Sequence, residues 1–266
     1  AIRLLGFTRE LVDQRPHFSE LACFNAERGE YGAVDVERFV AELTAKALHP
    51  THHHMERVRP NGLVIDLVGA PIPHGGFVTI YSDVTEQRQA AQAIERLAHH
   101  DTLTGLANRY TLEARLDQLV ADARRHGRRL AVLFLDMDNF KGINDSLGHG
   151  VGDEFLRITA QRLRETVREN DIVARLGGDE FVVVLPEVHQ PEHALRVASK
   201  LLDRLAQPIE LSEHKLNAST SIGICFYPQD GQDRGSLMQS ADIAMYQAKS
   251  MGKGVYRCFD ASMMEV

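Results

Sequence analysis

From residue 101 onward, short unbroken apolar runs alternate with stretches of three-to-four apolar spacing. The run 130–135, Leu-Ala-Val-Leu-Phe-Leu, is continuous, which marks a strand buried on both faces. The runs 172–176 and 181–185 are rich in β-branched residues and flank Gly177-Gly178-Asp179-Glu180. That is a hairpin pattern, with the glycines free to take positive φ in a tight turn. Phe155, Leu156, Thr159, Leu163 and Val167 fall on one face of a helix predicted over 152–168. The pattern also predicts helices at 112–125, 192–206 and 237–250 and strands at 216–226 and 255–259, with 101–109 a loop. Strand–helix–hairpin–helix–strand is a βαββαβ order, and it predicts an α+β core of ferredoxin-like type.

Residues 1–85 have a different texture. Residues 1–12 read as the end of a helix or a helical turn, and 18–24 and 36–48 have helical apolar spacing. Strand-like runs follow at 55–59, 63–68 and 77–83. Asn61-Gly62 reads as a two-residue hairpin turn, and Gly75-Gly76 with Pro71 and Pro73 as a second connection. Short helices before a three-strand antiparallel run fit a small α+β domain without its first strands. Residues 85–100 are polar, without Gly or Pro, and carry Ala90, Ile94 and Leu97 at near-helical spacing. They fit either a plain connecting helix or a two-stranded coiled coil, and under three heptads they fix no oligomer.

Composition narrows the function. The 266 residues allow one large or two medium domains, and the formal net charge of -7 argues against general nucleic-acid binding. Cys23, Cys225 and Cys258 show no paired spacing and read as reduced cytoplasmic thiols. No apolar run is long enough to span a bilayer, and no secretory signal is present. The chain opens on Ala1 inside a helical pattern, so it reads as a piece of a longer protein.

The chemistry gathers at the hairpin. Hairpin architecture needs no acid at its tip, so Asp179 and Glu180 are candidate ligands for a hard divalent cation, against the alternative of a solvated acidic turn. In a βαββαβ sheet the central strand can neighbour the hairpin, which would bring Asp136 to the same place. Clustered carboxylates repel, and Mg²⁺, held by one or two carboxylates plus phosphate oxygens, relieves that. The loop 139–153 offers backbone amides and Lys141 to phosphates. Asn144 and Asp153 are suited to a base edge, where a carboxylate accepting from ring N–H and NH₂ selects guanine. Lys249 and Lys253 lie one helical turn apart as a cationic clamp.

These residues carry a resemblance. Asp101-Thr-Leu-Thr-Gly-Leu-Ala-Asn-Arg109, the stretch 136–153, Ala174-Arg-Leu-Gly-Gly-Asp-Glu-Phe181 and Ala241-Asp-Ile-Ala-Met-Tyr-Gln-Ala-Lys249 resemble the GGDEF-domain diguanylate cyclases. The resemblance implies condensation of two GTP into cyclic di-GMP, with loss of two pyrophosphates, in a homodimer. It implies Mg²⁺ or Mn²⁺ on Asp136, Asp179 and the Met137 carbonyl, with Glu180 as ligand or base. It implies guanine on Asn144 and Asp153, and phosphates on Phe140, Lys141, Lys249 and Lys253. Where the family usually has Arg-Asn, this chain has Lys253-Gly254, which keeps the charge but loses the bidentate fork and puts GTP affinity in doubt. Arg168 and Asp171, an Arg-x-x-Asp with five residues between it and Gly177, resemble the family's product-inhibition site. The alternative for that pair is a helix-terminal salt bridge.

Residues 1–85 resemble the later part of a PAS sensor domain, joined through the linker 86–100 to a cyclase domain at 101–260. Residues 261–266 resemble the start of a connection to an EAL phosphodiesterase domain. That leaves a competing expectation: a catalytically weak module that binds GTP or cyclic di-GMP to regulate a C-terminal partner. A pure PAS dimerisation scaffold is a remoter class. His52-His53-His54 is expected to be an exposed loop rather than a ligand set, and His99-His100 linker surface.

Overall fold

The computed structural model describes residues 2–49, 51–73, 76–211 and 214–264. They form two compact units, Ala1–Ile94 and Glu95–Val266.

The first unit opens with α1 (Ile2–Leu5), α2 (Arg9–Asp13), α3 (Phe18–Glu27) and α4 (Val36–Leu48). Asp35 caps α4 by accepting the Arg38 amide, and His17 and Glu20 close a capping box on α3. An antiparallel sheet follows, ordered β1 (His53–Val58), β2 (Val64–Pro71), β3 (Phe77–Asp83). Its core is small, built on Leu5, Ile65 and Leu67. A buried ion pair, Arg59 with Glu30, supplements it, and Arg59 also donates to the carbonyls of Leu4 and Leu5.

Two expectations change here. The β1–β2 turn is not a two-residue loop. Arg59 N–H donates to the Leu63 carbonyl and Gly62 N–H to the Arg59 carbonyl, so three residues form the loop. Pro60 favours the second position of such a turn, and Gly62 takes the left-handed position at φ 84°. The histidine run is exposed as expected, yet His53 and His54 lie in β1 rather than a loop. His54 Nε2 meets Asp66 Oδ1 at 2.7 Å across the sheet. Of the Gly75-Gly76 connection, Gly75 lies outside the described residues. α5 (Thr85–His99) spans the boundary between the units, with Ile94 and Leu97 exposed.

The second unit contains α6 (Arg109–His126), β4 (Leu130–Met137), α7 (Phe140–Leu147), α8 (His149–Thr166), β5 (Ile172–Gly177), β6 (Glu180–Leu185), α9 (Pro191–Leu205), β7 (Ile209–Leu211), β8 (His214–Leu216), β9 (Thr220–Tyr227), α10 (Arg234–Ser250) and β10 (Tyr256–Cys258). The sheet order is β10-β9-β4-β6-β5; β10 runs parallel to β9 and the other pairs are antiparallel. Removing β10 leaves the ferredoxin-like order, with the first strand central. All eight residues of β4 are buried. Leu133, Leu135 and Phe181 pack on one face with Phe155 and Leu163 of α8 and Leu201 of α9. Val132, Phe134 and Val182 pack on the other with Leu112 and Leu116 of α6 and Leu237 of α10. Each fully buried Leu or Phe of this sandwich contributes about 2 kcal/mol.

Two local readings change. Residues 139–153 are mostly helix rather than loop: Asn139 takes the left-handed conformation at φ 61°, α7 follows, and Gly148 at φ 86° separates it from α8. The strand expected at 216–226 is two strands, β8 and β9, with β8 paired to β7 in a small hairpin. Residues 261–264 form a short 3₁₀ turn, and residues 265 and 266 lie outside the described residues.

Candidate active site

The ladder between β4 and β6 brings the acidic residues together. Asp136 and Glu180 are cross-strand partners, and Asp136 faces Ser221 on the other side. The Met137 amide donates to the Asp179 carbonyl at 3.2 Å, so the hairpin tip is tied to the end of the central strand. Gly177 and Gly178 hold φ of 142° and 54°, values that glycine adopts at little cost.

This crowding shows in the carboxyl groups. Burial pushes the Asp136 carboxyl up, Asp179 and Asp138 push the same way, and the Lys249 ammonium opposes them. Lys249 Nζ stands 2.7 Å from Asp136 Oδ1. Burial also raises Glu180, reinforced by Asp136, Asp242 and Asp179, with Arg109 opposing. A cation already sits on Asp136 in the form of an ammonium, so the donor set fits positive charge. Among the described residues no three acidic, His or Cys side chains converge as a closed metal cage. Carboxylate and carbonyl oxygens are the donor type that a hard divalent cation takes.

The other residues singled out in the sequence lie around this centre or apart from it. Lys253, itself in the left-handed region at φ 64°, donates from Nζ to Asn139 Oδ1 at 2.8 Å. Gly254 holds φ 63°. The Asn-to-Gly departure therefore falls where both residues are tolerated. Lys141 is exposed in the first turn of α7. The Phe140 ring is buried against Phe155, with centroids 5.9 Å apart, so only its backbone amide remains to meet a ligand. A Cβ at Gly152 would stand 1.9 Å from Asn144 Oδ1; the missing side chain is what seats Asn144, and Asp153 follows, exposed. Arg168 and Asp171 sit before β5, at the far end of the hairpin and roughly 17 Å along the strand from its tip. They make no side-chain salt bridge; the Asp171 carboxylate accepts the Arg168 amide at 2.8 Å.

Four further features escape sequence reading. Asp138 is buried and accepts from Ser219 Oγ, Ser221 Oγ and the Gly254 amide at 2.6, 2.8 and 3.1 Å. Its partners lie more than eighty positions away, so nothing local signals the role. Asp242 and Arg109 act on Glu180 from α10 and α6. Arg175 bridges Asp101 at 2.9 and 3.0 Å and the Gly178 carbonyl at 2.8 Å. The Asp101-x-x-Thr104 spacing was the available signal, since Thr104 N–H and Oγ also donate to Asp101.

Burial works against ionisation of Asp101, but the Thr104 and Arg175 hydrogen bonds outweigh it and hold its carboxyl below the ordinary value. A lowered folded pKa gives stability that is full above the unfolded value and lost as pH falls through the folded one. Asp101→Asn is therefore expected to cost about 2 kcal/mol near pH 7 and to flatten the stability loss below about pH 4. Urea unfolding at several pH values checks this; a variant as stable and as acid-sensitive as the parent would refute it.

Comparison with known proteins identifies the family. Residues 98–254 match the family described as diguanylate cyclase, GGDEF domain, and residues 1–92 match the PAS fold. The chain is 48% identical over 179 residues to the bifunctional diguanylate cyclase/cyclic di-GMP phosphodiesterase MucR of Pseudomonas aeruginosa, covering 67% of this chain and 26% of that protein. It is 46% identical over 161 residues to the diguanylate cyclase TpbB of the same organism, covering 60% of this chain and 37% of that one. A structure of TpbB comprising only the GGDEF domain superposes with a TM-score of 0.62 at 43% identity, over 63% of this chain and 98% of that one. The coiled coil and GGDEF domain of DgcB from Caulobacter crescentus, in complex with c-di-GMP, gives 0.58 at 28% identity, over 66% and 93%. No helix among the described residues is long and apolar enough to cross a membrane. By its matching residues and its fold, this chain belongs to the GGDEF-domain diguanylate cyclase family, with a PAS fold ahead of that domain.

Proposed function

We propose that the chain condenses two GTP into cyclic di-GMP, releasing two pyrophosphates, as a cytoplasmic signalling enzyme. The observation that carries this is the register of Asp136 with Glu180, beside Asp179 and the Lys249 ammonium. Asp136, Asp179, Glu180 and the Met137 carbonyl would hold Mg²⁺ or Mn²⁺. When bound, the ion would supply charge neutralisation at the phosphates and acidify the attacking hydroxyl. Asn144 and Asp153 fix the guanine. Lys141, Lys249, Lys253 and the Phe140 amide meet the phosphates, so the α-phosphorus is held in line. Glu180, its carboxyl raised by its neighbours, accepts the proton of the 3′-hydroxyl. The 3′-oxygen bonds to the α-phosphorus of the second GTP as the bond to its β-phosphate oxygen breaks, and pyrophosphate leaves. The reciprocal step closes the ring. One domain holds one GTP, so two chains must face each other; positioning two bound reactants supplies roughly 7–11 kcal/mol of the barrier.

Incubation with GTP and Mg²⁺, followed by nucleotide analysis, tests this. Cyclic di-GMP with two pyrophosphates per product is expected. GTP binding without product would favour the second reading, a regulatory module. What favours that reading is the company the chain keeps. It spans about a quarter of MucR, and its relatives include cyclic di-GMP phosphodiesterases, PdeR of Escherichia coli at 36% identity among them.

Product binding at Arg168 and Asp171 would make the enzyme self-limiting, with Arg168 meeting guanine O6 and N7. Arg168→Ala is expected to raise the inhibition constant for cyclic di-GMP about tenfold or more, leaving initial rates intact. An unchanged constant counts against the assignment.

A further inference from the structure

Asp138 directly follows β4 and is buried, yet its three partners are neutral. Its Oδ1 accepts from Ser221 Oγ, and its Oδ2 accepts from both Ser219 Oγ and the Gly254 amide. Its own amide donates to the Ser219 carbonyl at 2.9 Å. Burying a carboxylate is costly unless its lone pairs are taken up. A carboxylate only accepts, so it can serve three converging donors at once.

The Gly254 amide is the donor that leads to the nucleotide site. Gly252, Lys253 and Gly254 all hold positive φ, at 119°, 64° and 63°. For a lysine that backbone is unfavourable, and it persists only where the surroundings impose it. The end of α10 holds the turn from one side: the Lys253 amide donates to the Ala248 carbonyl at 3.3 Å. Asp138 and Asn139 hold it from the other. Asp138 Oδ2 takes the Gly254 amide at 3.1 Å, and Asn139 Oδ1 takes Lys253 Nζ at 2.8 Å. Two consecutive residues past β4 thus fix the backbone beside Lys253 and its ammonium.

We propose that Asp138 is a positioning residue for the nucleotide site: by taking the Gly254 amide it sets the turn that aims Lys253 at the phosphates of GTP. This rests on the GTP-condensing reading above and adds to it the part that keeps one phosphate-binding lysine in place. Asp138 acts through the place of its oxygen rather than through its charge. An asparagine there keeps one oxygen for Gly254 and Ser219, and its NH₂ donates to Ser221 Oγ, which rotates to accept.

Calorimetric titration of the whole chain tests this. The probe is the Mg²⁺ complex of a GTP analogue with a methylene between its α- and β-phosphorus, from which no pyrophosphate leaves. Asp138→Ala is expected to weaken binding about tenfold, and Lys253→Met by a similar factor. The double variant is expected to bind hardly worse than either single one, because a lysine already released from its place has little left to lose. Asp138→Asn is expected to stay within about threefold of the parent. No loss in either single variant, losses that multiply in the double variant, or an asparagine as damaging as alanine would each overturn the proposal. Should Asp138→Ala fail to fold, Ser219→Ala takes its place in the cycle, with a non-additive loss again expected and an additive one overturning the proposal. A parent chain that binds no analogue would overturn the GTP reading and this inference with it. A parent that binds it and makes cyclic di-GMP, with an additive cycle, overturns this inference alone.

Discussion

Glu180→Gln is expected to reduce cyclic di-GMP synthesis by about a thousandfold or more while the chain melts no lower than its parent. The two halves of this expectation have one cause. Burial and the carboxylates of Asp136, Asp242 and Asp179 hold the Glu180 carboxyl above its ordinary value. A raised carboxyl pKa means that the folded state disfavours the ionised form. Near neutral pH the residue therefore subtracts from stability, and the penalty fades as pH falls through the raised folded value and is gone below the unfolded one. Glutamine keeps the shape and removes the repulsion, so the melting temperature holds or rises slightly. The same change removes the group that would take the 3′-hydroxyl proton. Cyclic di-GMP yield from GTP and a thermal melt in one buffer check both halves. Retained synthesis would sink the role of Glu180; a sharp drop in melting temperature would show that it holds the fold.

The second large effect is structural. Gly223→Ala is expected to destabilise the second unit by about 3 kcal/mol or more, a fall of roughly 6–12 °C in its melting temperature. Gly223 lies on β9 under α10. A Cβ there would stand 2.0 Å from the Ala241 carbonyl oxygen and 2.2 Å from the Met245 amide nitrogen. Both are backbone atoms, so no rotamer relieves the clash and α10 must lift from the sheet. α10 carries Lys249, so the ion pair to Asp136 would loosen too. A thermal melt measures the loss; a variant within 1 °C of the parent would show that the helix can shift freely.

Much of this was legible because the pattern was strong where the fold is simplest. The unbroken run before Asp136 could only be a strand covered on both sides, and β4 is that strand. Once it is central, the βαββαβ order puts Asp136 beside the hairpin, and the register with Glu180 follows. α7 stayed hidden because its residues are mixed polar and glycine-bearing, with only Phe140 buried. β7 and β8 are three residues each, too short to leave a period. Asp138 could not be read at all. Its worth comes from Ser219, Ser221 and Gly254, which only the folded sheet brings to it. Gly62 misled in the other direction: Asn-Gly is a strong two-residue signal, and Pro60 ahead of it shifted the turn by one residue.

The Lys249–Asp136 contact changes how the nucleotide site should be pictured on the proposed reading. Its Asp136 carboxylate is accompanied by an ammonium at 2.7 Å. If a metal–nucleotide complex is the ligand, its entry would exchange counterions at Asp136, with Lys249 freed to meet the phosphates. On that reading ion and nucleotide would each bind better in the other's presence, because either alone would leave one charge of the exchange without a destination. The pocket behaves less as a receptacle awaiting a metal than as a resin bead already loaded with its own cation.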